Sequence, residues 1–229
     1  MKKLTLLILL AFLVSGIQAQ EETKKGKSQS FGAAADLYTD IWMDAPDDIE
    51  LRLIHQGISL GGMFQSQLGE SPFSIAVGAM ISTHNLYSNA SLDLDTAGNS
   101  LFSALPEKDI SGKDLDYDRN KLSLAYLDFP LEFRLKTDSE IRVALGFKAG
   151  FNINSHTKYK GDNPLDAESK MKVKYADLPN IENYRYGLVF RLGYKAVNLF
   201  GFYSLSPVFT EGKGPAVYPF SVGVSLRPY

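Results

Sequence analysis

Residues 184–195 read Tyr184-Arg185-Tyr186-Gly187-Leu188-Val189-Phe190-Arg191-Leu192-Gly193-Tyr194-Lys195. The even positions hold only Tyr, Leu and Phe, while the odd positions hold Arg, Gly, Val and Lys. Successive side chains of a strand point to opposite faces, so this is a strand with one bulky apolar face. Residues 141–154 repeat the device. Ile141, Val143, Leu145, Phe147, Phe151 and Ile153 fall on one face, and Arg142, Gly146, Lys148, Gly150 and Asn152 on the other.

Outward from these two, the same period predicts strands at 31–43, 50–66, 72–86, 121–136, 140–157, 183–195, 197–207 and 217–228. Most exceed the five or six residues usual in soluble proteins. They reach the ~9–11 residues that a tilted strand needs to cross a bilayer. Connections at 67–71, 137–139 and 196 are short, those at 87–120 and 158–182 long, and those at 44–49 and 208–216 intermediate. Short and longer connections alternate, as in outer-membrane barrels with short turns at one end and loops at the other. The expected fold is all-β: an eight-stranded antiparallel up-and-down transmembrane β-barrel with a polar, side-chain-filled interior.

Soluble eight-stranded barrels also alternate, with the apolar face inward. Side-chain size decides between them, because eight strands leave an interior only just wide enough to fill. Phe, Tyr, Leu and Ile recur on the apolar face and are too bulky to pack there together. The opposite face, with Ser74, Ala76, Gly78, Gly146, Gly150, Gly187 and Gly193, suits a narrow lumen. The apolar face therefore belongs in lipid. The lumen then receives Asp36, Asp40, Asp128, Glu132, Arg134, Lys136, Arg142, Lys148, Arg185, Arg191, Lys195 and Arg227. Buried charges require partners, so a salt-bridged plug is expected in place of an open channel.

Aromatic residues near the predicted strand ends read as interfacial girdles: Tyr38, Trp42, Phe73, Tyr126, Tyr184, Tyr194, Tyr203, Tyr218 and Tyr229. In 121–136 the apolar positions slip from even (Leu122, Leu124, Tyr126) to odd (Leu127, Phe129, Leu131) around Pro130. A bulge near Tyr126–Pro130 would reconcile them. Residues 50–66 are ambiguous in phase, and Gly57, Gly61 and Gly62 point to a bent strand.

At the N-terminus, Lys2 and Lys3 precede the apolar run Leu4–Val14, and small residues follow up to Ala19. This is the pattern of a secretory signal peptide over 1–19, too short for a membrane-spanning helix. Residues 20–30 read as a flexible periplasmic lead-in and 31–229 as the barrel. The whole sequence has 24 Lys+Arg against 26 Asp+Glu and no cysteine. That balance argues against nucleic-acid binding. The lack of Cys excludes disulfide scaffolds, thiolate metal sites and a cysteine nucleophile.

Tyr126-Leu127-Asp128-Phe129-Pro130, Ala144-Leu145-Gly146-Phe147-Lys148-Ala149-Gly150-Phe151 and the strands from Tyr184 to Tyr229 resemble signatures of the Bacteroidetes outer-membrane β-barrel domain, the PorT-like family. The resemblance is closest over 120–229. It implies a small outer-membrane barrel in a Gram-negative bacterium, some relatives being linked to secretion or gliding, and it marks no active site. Tyr229 fits the terminal aromatic that barrel assembly reads, although Phe220, Val222, Val224 and Leu226 lie on the opposite parity.

Catalytic candidates are few. The histidines are His55, His84 and His156; Ser82 and His84 share a strand face, whereas Ser155 and His156 do not. A nucleophile–base pair needs a third, orienting group, which no motif supplies. Asp93-Leu-Asp95 resembles the start of a calcium loop, but Ala97 and Ala104 occupy ligand positions five and twelve. Asp114, Asp116 and Asp118 alternate, a pattern more typical of a solvated loop than of a metal site. No catalytic, cofactor-binding or metal residue is assigned, and no cofactor is expected. The expected role is a non-enzymatic interaction or structural component of the cell envelope. Its expected partners are outer-membrane lipid and lipopolysaccharide, and an envelope or secretion protein met through loops 87–120 and 158–182. The alternatives are a lipid-modifying enzyme and a narrow channel.

Overall fold

The computed structural model describes residues 29–227. The leader read in residues 1–19 and the terminal Tyr229 lie outside them. Among the described residues every regular element is a strand. Eight of the strands are β1 (Gln29–Met43), β2 (Gln56–Gln67), β3 (Phe73–Tyr87), β6 (Tyr117–Lys136), β7 (Ile141–Asn163), β9 (Tyr184–Tyr194), β10 (Val197–Ser204) and β11 (Tyr218–Leu226). The other three are β4 (Ala90–Leu94), β5 (Ser100–Ala104) and β8 (Asp166–Ala176). The eight pair antiparallel in the ring β1-β2-β3-β6-β7-β9-β10-β11, and β11 returns to β1. Closure removes every edge from the wall.

The parity read from the sequence sets the two faces. On β9, Tyr184, Leu188, Phe190 and Leu192 are exposed, while Arg185, Val189 and Arg191 are buried. On β3, Ile75, Val77 and Ile81 point out, and Ser74, Ala76, Met80, Ser82 and His84 point in. An apolar belt therefore rings the outside, and the interior is polar at mid-height.

Short turns at 68–72, 137–140 and 195–196 join strands at one end. Gly69 has φ 66°, a backbone conformation glycine adopts without strain. The opposite end carries more structure than expected. The span 87–120 contains the β4–β5 hairpin and the start of β6, and 158–182 contains the end of β7 and all of β8. Beyond Phe151, β7 leaves β9 and takes β8 as its neighbour from His156 to Asn163, so β6, β7 and β8 rise past the rim as a three-stranded sheet. In β8, Met171, Val173 and Tyr175 alternate with Lys170, Lys172 and Lys174, so its second face is lysine, unlike the small-residue face of the wall strands, and the reading of 158–182 as a loop passes over it.

Other expectations need correction. The strand expected from residue 50 begins at Gln56; residues 50–55 instead run along the end of β3, where the Arg52 N–H donates to the Tyr87 carbonyl at 3.1 Å. The phase slip in β6 is not a bulge in β6, whose alternation is unbroken: Leu122, Leu124, Tyr126, Asp128, Glu132 and Arg134 are all buried. Apolar residues line the lumen near the loops and charged ones line it lower down. A bulge does fall at the edge of the expected stretch, between Ala125 and Tyr126, but its extra residue is Ile153 on β7. Pro130 lacks an N–H; the β3–β6 ladder skips from Val77↔Leu131 to Met80↔Asp128 around it, without a change of register.

Tyr38, Trp42 and Tyr126, read as girdle residues, are buried inside the barrel. Phe73, Tyr184, Tyr194 and Tyr203 do face outward near strand ends. Lys136 and Lys195 sit exposed at the short turns instead of in the lumen. Lys136 pairs with Glu140, and Lys195 lies over the Tyr194 ring.

Candidate functional site

Three layers fill the barrel. The lowest is a chain of ion pairs built from inward positions of β1, β6, β9 and the end of β11. Glu132 accepts from Arg134 at 2.7 and 2.9 Å and from Arg191 Nε at 3.1 Å. Arg191 also forks onto Asp36 at 2.9 and 3.2 Å, and Arg227 reaches the same carboxylate at 3.1 Å. Beneath this chain, Gln65, Ser74, Arg142 and Asn198 help line a cavity of about 30 Å³ at the short-turn end. That is room for about one water molecule.

The middle layer centres on Asp128. Arg185 grips it with two bonds, Nε–Oδ1 at 3.0 Å and Nη2–Oδ2 at 2.6 Å. Ser82 Oγ donates to the same carboxylate, and Lys148 stands 3.6 Å away. Arg185 Nη1 also reaches His84 Nε2 at 2.5 Å. His84 Nδ1 meets Asp40 Oδ2 at 2.9 Å, and Ser221 donates to Asp40 Oδ1 at 2.6 Å. Aromatic faces brace the cations: Arg185 lies 4.0 Å from the Tyr126 ring and Lys148 3.7 Å from that of Phe202. Such contacts strengthen when water is excluded.

The top layer is apolar. Trp42, Leu86, Leu122 and Leu124 from the wall pack with Ile49, Phe102, Ile181 and Phe209 from the connections. Each of the four longer connections contributes a buried residue, so the loops seal the barrel mouth as one cluster. Asp93 and Asp95 lie in the β4–β5 hairpin, and Asp95 caps its tip by accepting from the Ala97 and Asn99 N–H groups, both at 2.8 Å. Asp109 Oδ1 takes Ser111 Oγ at 2.7 Å and the N–H groups of Ser111 and Lys113 at 2.8 and 2.9 Å. The Ser111 hydroxyl first, then the backbone donors, holds its carboxyl down at about 2. Asp114 pairs loosely with Lys108 at 3.8 Å, Asp118 pairs with Lys160, and Asp162 pairs with Lys170. Among the described residues no group of three His, Cys, Asp or Glu is arranged to hold a metal ion.

The structure separates the sequence's catalytic candidates. Ser82 is bound to Asp128 and Ser59. Both ring nitrogens of His84 are occupied, and the residue is 1% exposed. His55 is a joint: its Nδ1 accepts from the Tyr87 N–H at 3.0 Å and its ring stacks on Tyr87. His156 stands on the outer face of β7, bonded to Asn154, and Ser155 points inward from the neighbouring position.

The closed ring of eight antiparallel strands, with its apolar face outward and its charges inward, agrees with a comparison against known families. The family model described as "outer membrane protein beta-barrel domain" matches residues 18–210. The chain belongs to that family. Neither the curated proteins nor the solved structures include a match to it. Outer-membrane barrels generally place short turns at the periplasmic end and longer loops at the outer surface. The loop cluster and the β6–β7–β8 sheet lie at the long-loop end. The sequence made the interior charges legible because they share strand parity. The apolar seal was missed, because its residues come from connections with no periodic signal.

Proposed function

We propose that this outer-membrane barrel is a non-enzymatic platform of the PorT-like, Bacteroidetes type, exported by its leader, whose outer surface docks a second envelope protein. A role in secretion or surface assembly is an analogy with relatives of that type. One observation carries the reading: the four long connections pool their apolar residues in a single buried cluster over the mouth. Loops ordered in this way present a preformed surface, which lowers the ordering cost of binding. Exposed apolar side chains stand on it, including Ile110 at 81% and Leu165 at 68%. The geometry gives less support to the channel and enzyme readings. The lumen is crossed by ion pairs, and the His84 ring has no open path to a substrate.

Cross-linking in living cells tests the proposal. The chain has no native cysteine, so Thr96→Cys on the β4–β5 turn and Leu165→Cys on the β7–β8 turn each give a unique label. Asn99 and Ser111 are left intact, because their side chains hold Asp95 and Asp109. One reproducible protein adduct from both sites is expected. Adducts only with bulk outer-membrane protein would overturn the docking role.

A further inference from the structure

The β6–β7–β8 sheet carries two rows of cations on one face. Cross-strand partners share a face of a sheet. Arg119 pairs with Lys160 and Lys160 with Lys172; Lys121 pairs with Lys158 and Lys158 with Lys174. Directly opposed like charges repel and destabilise a sheet, and this arrangement repeats the opposition four times. Acidic relief is sparse: Asp118 pairs with Lys160, and the Asp162–Lys170 pair lies one step further out. Lys121 donates to a neutral acceptor, Asn85 Oδ1 at 2.5 Å, and lies over the Tyr87 ring.

The face has a definite direction. The β3–β6 register is constant from Phe73↔Leu135 to Tyr87↔Lys121, so odd residues of β6 stay on one side throughout. Phe133, Leu131 and Phe129 on that side belong to the exposed apolar belt. The cations therefore lie on the lipid-facing side of the sheet, above the belt. From Leu127 to Lys121 the strand climbs about 20 Å at ~3.4 Å per residue, less its tilt. Thr83, Asn85 and Ser123 occupy the polar zone between. That height clears the hydrocarbon and enters the phosphate and sugar layer of the outer leaflet. Arg52, over the Tyr87 ring at 5.5 Å, extends the patch, and exposed Leu53 and Ile54 follow it in sequence. Cations beside exposed apolar side chains are the pattern of a surface that meets an anionic amphiphile.

We infer that this face binds the phosphates of lipopolysaccharide in the outer leaflet. Closely spaced phosphates would sit between the two rows and cancel the repulsion that the fold accepts. The inference goes beyond protein docking and rests only on the outward placement of the loop end. The binding test below needs neither a protein partner nor a membrane orientation, so its failure is distinct from failure of the cross-linking.

The test is a titration of the detergent-solubilised full barrel with fluorescently labelled lipopolysaccharide, read by thermophoresis in 0.05 and 0.5 M NaCl (on the order of one-third and three times physiological ionic strength). The probes are intact and enzymatically dephosphorylated lipopolysaccharide. Three proteins are compared: wild type, Lys158→Gln/Lys172→Gln/Lys174→Gln, and the same three positions changed to Arg. Heat-dependent gel mobility verifies that each is folded. The expected result is binding that weakens with salt and with dephosphorylation, falls at least about tenfold in the Gln variant, and persists in the Arg variant. Equal binding by the folded Gln variant, or equal binding of the dephosphorylated probe, would overturn the inference. If the Gln variant does not fold, the dephosphorylated probe on wild type decides alone.

Discussion

Arg185 and Asp128 lie 57 residues apart and meet in the centre of the barrel as a two-pronged pair, at 3.0 and 2.6 Å. The strand parity of β9 and β6 points both side chains into the same lumen, and ring closure brings them within reach. Ser82, His84 and Lys148 then gather around them, so the pair ties β3, β6, β7 and β9 together.

Breaking that pair strands a charge in a dry interior. Arg185→Leu is expected to cost about 3–5 kcal/mol, because Asp128 keeps only the Ser82 hydroxyl and the more distant Lys148 ammonium. Arg185→Lys keeps the charge and loses the fork, so its loss is smaller. Trp42 is the single tryptophan and is buried under the loop seal, so its fluorescence during urea unfolding in micelles reports both variants.

The same carboxylate constrains the facing strand. A Cβ built on Gly150 would run into Asp128 Oδ1 and come within 3.0 Å of the Leu127 carbonyl. Gly150→Ala should therefore destabilise the barrel by about 1–3 kcal/mol through overpacking. Gly98→Ala meets nothing nearby and answers to its φ of 81° alone. Its smaller loss is confined to the β4–β5 turn. Parallel unfolding curves would show the order.

Two independent closures predict an insulating barrel. Phe102→Ala/Phe209→Ala loosens the apolar seal, in which the two rings pack edge-on at 5.9 Å. The ion pairs below it stay in place. Planar bilayers containing wild type or this variant should show no discrete conductance steps. Steps in wild type would contradict the plug.

Asp109 supplies a pH dependence with a definite sign. Its folded carboxyl is held at about 2, below the ordinary aspartate value near 3.9. The stabilisation is therefore complete above the unfolded value and is lost as pH falls through about 2. Pepsin should leave the segment around Ile110 intact at pH 4 and nick it near pH 2. Asp109→Ala should be nicked at both.

Most of the wall was legible in the sequence, because lipid outside and a narrow polar lumen inside impose a strict period of two. Arg185, Arg191, Asp128 and Glu132 could be placed in the lumen on parity alone. Parity says nothing of height along the barrel, so Tyr38, Trp42 and Tyr126 were misread as interfacial when they are luminal. The apparent slip in β6 has the same origin: the lumen changes from apolar to charged along one unbroken strand. The β8 extension escaped notice because its alternating residues are lysines. The meeting of Ser82 with Asp128 instead of His84 depends on inter-strand register, which no single strand encodes.

Lipid accessibility along β9 tests the central claim most directly. Single cysteines at positions 186 to 192, spin-labelled in reconstituted vesicles, report collisions with oxygen and with a water-soluble nickel chelate. The structure predicts high oxygen accessibility at 186, 188, 190 and 192 and low accessibility to both reagents at 187, 189 and 191. A reversed phase, or uniform accessibility to the nickel chelate, would contradict a lipid-facing apolar belt around a filled interior.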